Sequence, residues 1–267
     1  MLRRIRTSIA AGLLATACAT SPLGRQQILM YPEPQVAQMG AVAFRQLQSE
    51  LPVASDSAGE RYVQCVVDAL AGSLQQEDAA RTWEVKLFDD PSANAFALPG
   101  GKIGVHTGML KIATTQGELA TVLAHEIGHV VAHHTNERLS TTAVAQSGLS
   151  AVQALLGGPG GGREQLMAAL GLGAQVGILL PFNRAQESEA DLLGLSLMAR
   201  AGFDPQESVA LWRRMEAAGG QAPPELLSTH PSDATRIERL RRSMADASRL
   251  RAEAARQGRQ PRCSRPR

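Results

Sequence analysis

Aromatic side chains make up only 3% of this 267-residue chain, too few for the ring platforms on which single-stranded nucleic acid stacks. Charge of one sign is missing as well. Twenty-seven basic residues face 25 acidic ones for a net charge of +2, so no global field draws the chain to nucleic acid or to an anionic surface. No apolar run reads as a membrane span. Residues 9–17 are apolar but far short of the ~20 needed to cross a bilayer. Residues 166–182 carry no charge, yet Gly171, Gly173, Gly177, Gln175 and Pro181 interrupt them, which fits a helix buried in protein or a mobile lid. With 44% hydrophobic and 19% charged residues, the chain reads as one ordinary globular domain, not a disordered or multi-span protein. What it does have is histidine in one place: four of its six, His125, His129, His133 and His134, fall within ten consecutive residues.

The first 17 residues read as an export signal, three arginines followed by a short run of small apolar residues. That run ends Leu14-Ala15-Thr16-Ala17-Cys18, which resembles a bacterial lipobox whose cysteine becomes the lipidated first residue. Ala19, in place of aspartate, makes the resemblance point to the outer membrane. Simple cleavage after Ala17 or Ala19 is the other reading. Residues 18–35, with three prolines and no periodicity, then form a lipidated tether. Cys65 and Cys263 remain in a chain bound for an oxidising compartment. They either form one disulfide that pins the tail to an early helix, or stay apart as a buried small hydrophobe and a thiol in a frayed tail.

Between residues 36 and 245 the pattern predicts an α+β domain, mostly helical, with a small sheet. Apolar residues at helical spacing mark helices over 36–51 and 60–74. Alternation marks a strand at 83–87, and two more flank Pro99-Gly100-Gly101, at 94–98 and 102–106. Thr115-Gln116-Gly117-Glu118 is a capping box that opens a helix running to about His134. Asn183 caps another that stops at Gly202, and Asp204-Pro205-Gln206-Glu207 opens the next. A last helix starts near Ser232 and grades into an arginine-rich C-terminal tail over 246–267, read as a solvated frayed helix.

The chemistry sits in His125-Glu126-Ile127-Gly128-His129. Two imidazoles four residues apart share a helix face and can converge on one Zn²⁺, with Glu126 beside them as general base. A third ligand must come from elsewhere. A histidine at 135 would supply it in one branch of such enzymes, but this chain has Ala132 and Thr135. Glu187-Ser188-Glu189-Ala190-Asp191 supplies a carboxylate instead: Glu187 and Asp191 face the same way, one to ligate and the other to orient an imidazole. Glu187 is assigned to the metal and Asp191 to the imidazole. Glu189 lies ~200° round the helix and points away. His133 and His134 read as solvated or capping residues, and His106 as structural.

These blocks, together with Asn94-Ala95-Phe96-Ala97-Leu98-Pro99-Gly100-Gly101, Asn183-Arg184, Gly194, Thr229-His230-Pro231-Ser232 and Arg236-Ile237, resemble the gluzincin family of HtpX, the CaaX prenyl proteases and the periplasmic BepA and LoiP proteins. The resemblance spans roughly residues 94–240 in the expected order, and the lipobox places the chain nearer the periplasmic branch. It implies a gluzincin-type fold with a small sheet packed on the metal-binding helix, one Zn²⁺, and a strand edge at Asn94, Ala95 and Phe96 on which an extended peptide is laid. It further implies that His230 occupies a fourth metal position and holds the enzyme latent.

Two neutral imidazoles and a carboxylate leave Zn²⁺ a net charge of +1 and an open position for water, whose proton Glu126 takes as it attacks a peptide carbonyl. Oxyanion stabilisation needs another donor. With both tyrosines far upstream, Arg184 and His230 are the candidates. The expected function is a zinc-dependent endopeptidase anchored through Cys18 on the periplasmic face of the outer membrane, degrading misfolded or unassembled envelope proteins, with no nucleic acid partner. The alternative is a zinc-stabilised periplasmic chaperone or outer-membrane assembly factor whose proteolysis is incidental.

Overall fold

The structure is a computed structural model that describes residues 18–74, 78, 80–155, 182–218, 226, 230 and 235–266, with side chains at 146–155 excepted. The export signal, the glycine run at 157–162 and the apolar stretch up to residue 181 lie outside these residues.

Where the sequence suggests a tether, the chain folds back on itself. β1 (Cys18–Thr20) and β2 (Gln26–Ile28) pair antiparallel through a turn that places Gly24 at φ 87°. The hairpin is packed on the domain: Gln27 is buried, and its side-chain amide donates to the Ala132 carbonyl at 2.7 Å. Three prolines do not prevent this, because two of them introduce the next helix, α1 (Glu33–Glu50), where a missing N–H costs nothing.

α2 (Ser57–Ala71) is capped by Asp56, whose carboxylate accepts from the N–H groups of Ala58 and Gly59 at 3.0 and 2.9 Å. β3 (Glu84–Phe88), β4 (Ala95–Leu98) and β5 (Lys102–His106) form a sheet in the order β3-β5-β4, the first pair parallel and the second antiparallel. The β4–β5 turn needs φ of 82° at Gly100 and 75° at Gly101, which only glycine adopts without strain. β4 is therefore an edge strand, and a short helix, α3 (Thr107–Ile112), follows β5 directly.

The centre of the molecule is α4 (Gln116–Val131), buried continuously from Gly117 to Val130. A helix buried on every face needs neighbours on all sides, and this one is enclosed by β4, α2, α6 (Arg184–Arg200) and α7 (Gln206–Ala218). Leu119, Leu123 and Ile127 are fully buried, each contributing about 2 kcal/mol of apolar transfer. Thr115 caps α4 by accepting from the Glu118 N–H at 3.1 Å, but the Glu118 carboxylate takes the Thr114 N–H and Arg214 in place of the reciprocal bond.

The helix also ends sooner than its composition suggests. His133 adopts φ 54°, and the chain restarts as α5 (His134–Leu155), which turns His134 inward to complete burial. Asn183 forms a full capping box with Gln186 at the start of α6. The basic tail is likewise built in: α8 (Arg236–Arg242) and α9 (Met244–Arg256) follow one another, with Ala247 and Ala254 buried. Beyond them a Cys65–Cys263 disulfide ties the chain end to α2. Gln116 grips the same segment, donating to the Pro261 carbonyl at 3.0 Å and accepting from the Cys263 N–H at 2.8 Å.

Candidate metal centre

One turn of α4 carries His125 and His129 on the same face, and α6 crosses close enough to bring Glu187 and Asp191 against them. Gly194 permits that crossing, since a Cβ there would meet the His125 backbone nitrogen at 2.9 Å. His230 completes a buried group of four donors, His125, His129, Glu187 and His230, whose ligand atoms lie within 4.8 Å of one another. His125 Nε2 is 3.1 Å from His129 Nε2 and 3.2 Å from His230 Nδ1. Glu187 Oε1 is 3.0 Å from His230 Nδ1 and 3.3 Å from His129 Nε2. Donors bound tetrahedrally at about 2.0–2.1 Å from one ion stand about 3.3 Å apart. The observed spacings match, and three imidazoles with a carboxylate are a donor set that suits Zn²⁺.

Burial disfavours every charge in this group. It drives His129 well below the ordinary histidine value. At His125 the Asp191 and Glu187 carboxylates outweigh it and push the pKa up to about 10. Glu187 resists burial too, held far below the carboxylate range by the three imidazoles around it. Such a centre concentrates negative charge and lone pairs at one point, and a cation relieves it.

Behind the donors, Asp191 Oδ1 lies 3.0 Å from His125 Nδ1, where it can fix that ring's tautomer. Arg236 is fully buried beneath the pair: it donates to Glu187 Oε2 at 2.5 Å and to Asp191 Oδ2 at 2.8 Å, with its guanidinium 4.2 Å over the Trp212 ring. One buried cation thus bonds both carboxylates and offsets the charge they bring together.

Glu126 is beside the donors and not among them. Its Oε2 accepts the Ala97 N–H of β4 at 3.3 Å, its Oε1 is 3.3 Å from His230 Nε2, and burial raises its pKa above the ordinary glutamate value. It opens onto a cleft of about 190 Å³ whose walls include Asn94, Ala95, Phe96, Leu47, Phe182 and Arg138. The strand edge named from sequence thus runs along this cleft.

The structure does not bring Arg184 to it. As the first residue of α6 its side chain is exposed at the helix end, and among the described residues the cation lining the cleft is Arg138 of α5. Arg138 lies 3.7 Å over the Phe182 ring, its pKa brought down to about 10 by burial. Sequence reading missed Arg138 and His134 for the same reason: nothing in the periodicity marks the reversal at His133 that folds α5 back over the centre. Glu189, which does point away from the donors, enters a buried polar group on the far side of α6 with His134 and Arg25.

Residues 57–244 match peptidase family M48. The chain is 41% identical over 167 residues to the mitochondrial metalloendopeptidase OMA1 of Schizosaccharomyces pombe, covering 62% of this chain and 48% of that one. It is 36% identical over 268 residues to the OMA1 metalloendopeptidase of Danio rerio, covering 91% and 54%. Against the beta-barrel assembly-enhancing protease of Escherichia coli it is 28% identical over 211 residues, covering 76% and 42%. The chain spans about half the length of the curated relatives it matches.

Proposed function

Because the chain belongs to peptidase family M48, we propose that it is a zinc-dependent endopeptidase that cleaves misfolded or unassembled proteins of the bacterial envelope. The observation that carries this is the placement of Glu126: a carboxylate that ligates nothing, buried against the four donors, opening onto a cleft and tied to the edge strand that forms its wall. Bound Zn²⁺ supplies Lewis-acid polarisation of a scissile carbonyl and of water. Glu126 accepts the water proton and returns it to the leaving nitrogen. In an antiparallel pair alternate residues turn their backbone groups outward. The Ala97 N–H is turned toward Glu126, so Ala95 presents its own to a peptide laid along β4. Backbone pairing favours substrates that are already unfolded. Arg138 supplies the positive charge in the cleft for an oxyanion, and His230 occupies the fourth donor position as a latch.

The envelope setting rests on the N-terminal export pattern, on similarity to the beta-barrel assembly-enhancing protease, and on the Cys65–Cys263 disulfide, a bond at home in an oxidising compartment. Anchoring through lipidated Cys18 belongs to the same proposal; Cys18 is exposed on β1. The test is casein cleavage by the purified chain, with and without a zinc chelator, beside Glu126→Gln. Chelation and the substitution should each abolish cleavage while Glu126→Gln keeps its zinc; full cleavage by that variant would overturn the assignment.

A further inference from the structure

The two metal-helix imidazoles are backed differently. His125 Nδ1 meets a carboxylate directly, in Asp191. His129 Nδ1 meets another imidazole: it lies 2.8 Å from Nδ1 of His134, whose Nε2 lies 3.2 Å from Glu189 Oε2.

The proton positions follow from the chemistry. His129 presents Nε2 to the donor group, 3.1 Å from His125 Nε2 and 3.3 Å from Glu187 Oε1, so a ligating lone pair belongs there and the ring's one proton belongs on Nδ1. That Nδ1–H donates to His134 Nδ1, which places the His134 proton on Nε2, where it donates to Glu189. Each ring then gives one bond and takes one, with no atom left over. His134 is completely buried and Glu189 nearly so, so water does not compete for these bonds. Glu189 is itself fixed from the hairpin: Arg25 Nε donates to Oε2 at 3.0 Å and the Leu23 N–H to Oε1 at 3.3 Å.

We infer that His134 and Glu189 are positioning residues that hold His129 in the tautomer and ring orientation a metal requires, and that the β1–β2 hairpin closes this support through Arg25. The inference rests on the zinc reading above. It explains why the second carboxylate of the Glu187-Ser188-Glu189 run, on the wrong face of α6 to ligate, is nonetheless buried and held by His134, Arg25 and the Leu23 N–H.

The experiment is zinc affinity of the full chain, read by competition with a chromophoric chelator. His134→Ala and Glu189→Ala should each weaken binding about tenfold or more, the usual cost of removing a partner behind a ligating imidazole. Glu189→Gln, which keeps an oxygen facing His134, should recover most of the loss. Gln26→Ala, at an exposed position of β2 whose side chain bonds to Thr20 within the hairpin, should leave the affinity as it is. A second readout needs no variant: nitrogen NMR of the zinc-loaded protein should show an exchange-protected proton on His129 Nδ1 with scalar coupling across the hydrogen bond to His134 Nδ1. Unchanged affinity in both alanine variants, an equal loss in Gln26→Ala, or a freely exchanging His129 proton overturns the inference. His125→Ala separates the two levels. If the unaltered chain binds zinc no better than that variant, the zinc reading itself has failed; if it binds far better and the alanine variants match it, only the support has.

Discussion

The backbone N–H of Ala97 donates to Oε2 of Glu126 across 3.3 Å. This bond joins the edge strand to Glu126, so the proposed base is aligned by the same backbone to which the proposal assigns the peptide. It also gives a substitution that separates alignment from folding. The Ala97 N–H faces away from β5, and an outward N–H on an edge strand is where a sheet tolerates proline. In Ala97→Pro the ring occupies the place of that hydrogen and displaces the carboxylate. We expect kcat/KM to fall about 10²-fold, the cost of misplacing a catalytic group by about an ångström, while zinc content and the β4–β5 pairing persist. Full activity in this variant would show that Glu126 is aligned by something else.

His230 has one ring nitrogen toward the donors, 3.0 Å from Glu187, and the other toward the base, 3.3 Å from Glu126. On the proposed latch reading, that position closes a site that catalysis needs open. His230→Ala should therefore raise basal casein cleavage several-fold, because a larger share of the enzyme is in the competent form, and should weaken zinc binding by removing a donor. Reduced cleavage with zinc retained would instead mark His230 as the oxyanion donor, and unchanged cleavage would leave it a structural role only.

Five of the residues at the centre are legible from spacing, His230 being given only by the resemblance. His125 and His129 share a face at four residues apart, Glu126 follows the first, and Glu187 and Asp191 repeat that interval on a helix whose Asn183 cap is plain. The sheet is legible for the same kind of reason, since period-two alternation and the Pro99-Gly100-Gly101 turn are local signals. What escaped depends on the chain reversing without a local signal. The left-handed turn at His133 falls on a non-glycine residue with no glycine or proline beside it to mark a reversal, so the sequence does not place His134 and Arg138. The hairpin was hidden because its stability comes from Arg25 and Gln27 reaching α5 and α6, more than a hundred residues away. In the tail, seven arginines mask the small stripe of Ala247 and Ala254 that packs inward.

Arg25 also predicts how the fold answers to acid. Its two terminal nitrogens pair with Glu137, Nη2 at 2.7 Å from Oε2, and its Nε pairs with Glu189 at 3.0 Å. Burial opposes the charge on both carboxylates. Glu189 is nonetheless brought down to about 2 by His134, Ser21 and Arg25, and Glu137 is lowered by Arg25, Gln186 and Gln27. Both groups thus hold protons less tightly in the folded chain than in the unfolded one, where the value is 4.5. The stability they contribute is complete above about pH 5 and is lost as the pH falls toward about 2. Arg25→Met removes the shared cation, leaving two buried carboxylates that must take up protons at higher pH. The melting-temperature gap between the parent chain and Arg25→Met, both stripped of metal, should therefore be wide at about pH 7 and narrow at about pH 3. Comparing the two chains cancels the titrating histidines they share. A gap of equal width at both pH values would mean that the pairs of Arg25 add nothing to folding, and that the hairpin is held by Gln27 and its apolar contacts alone.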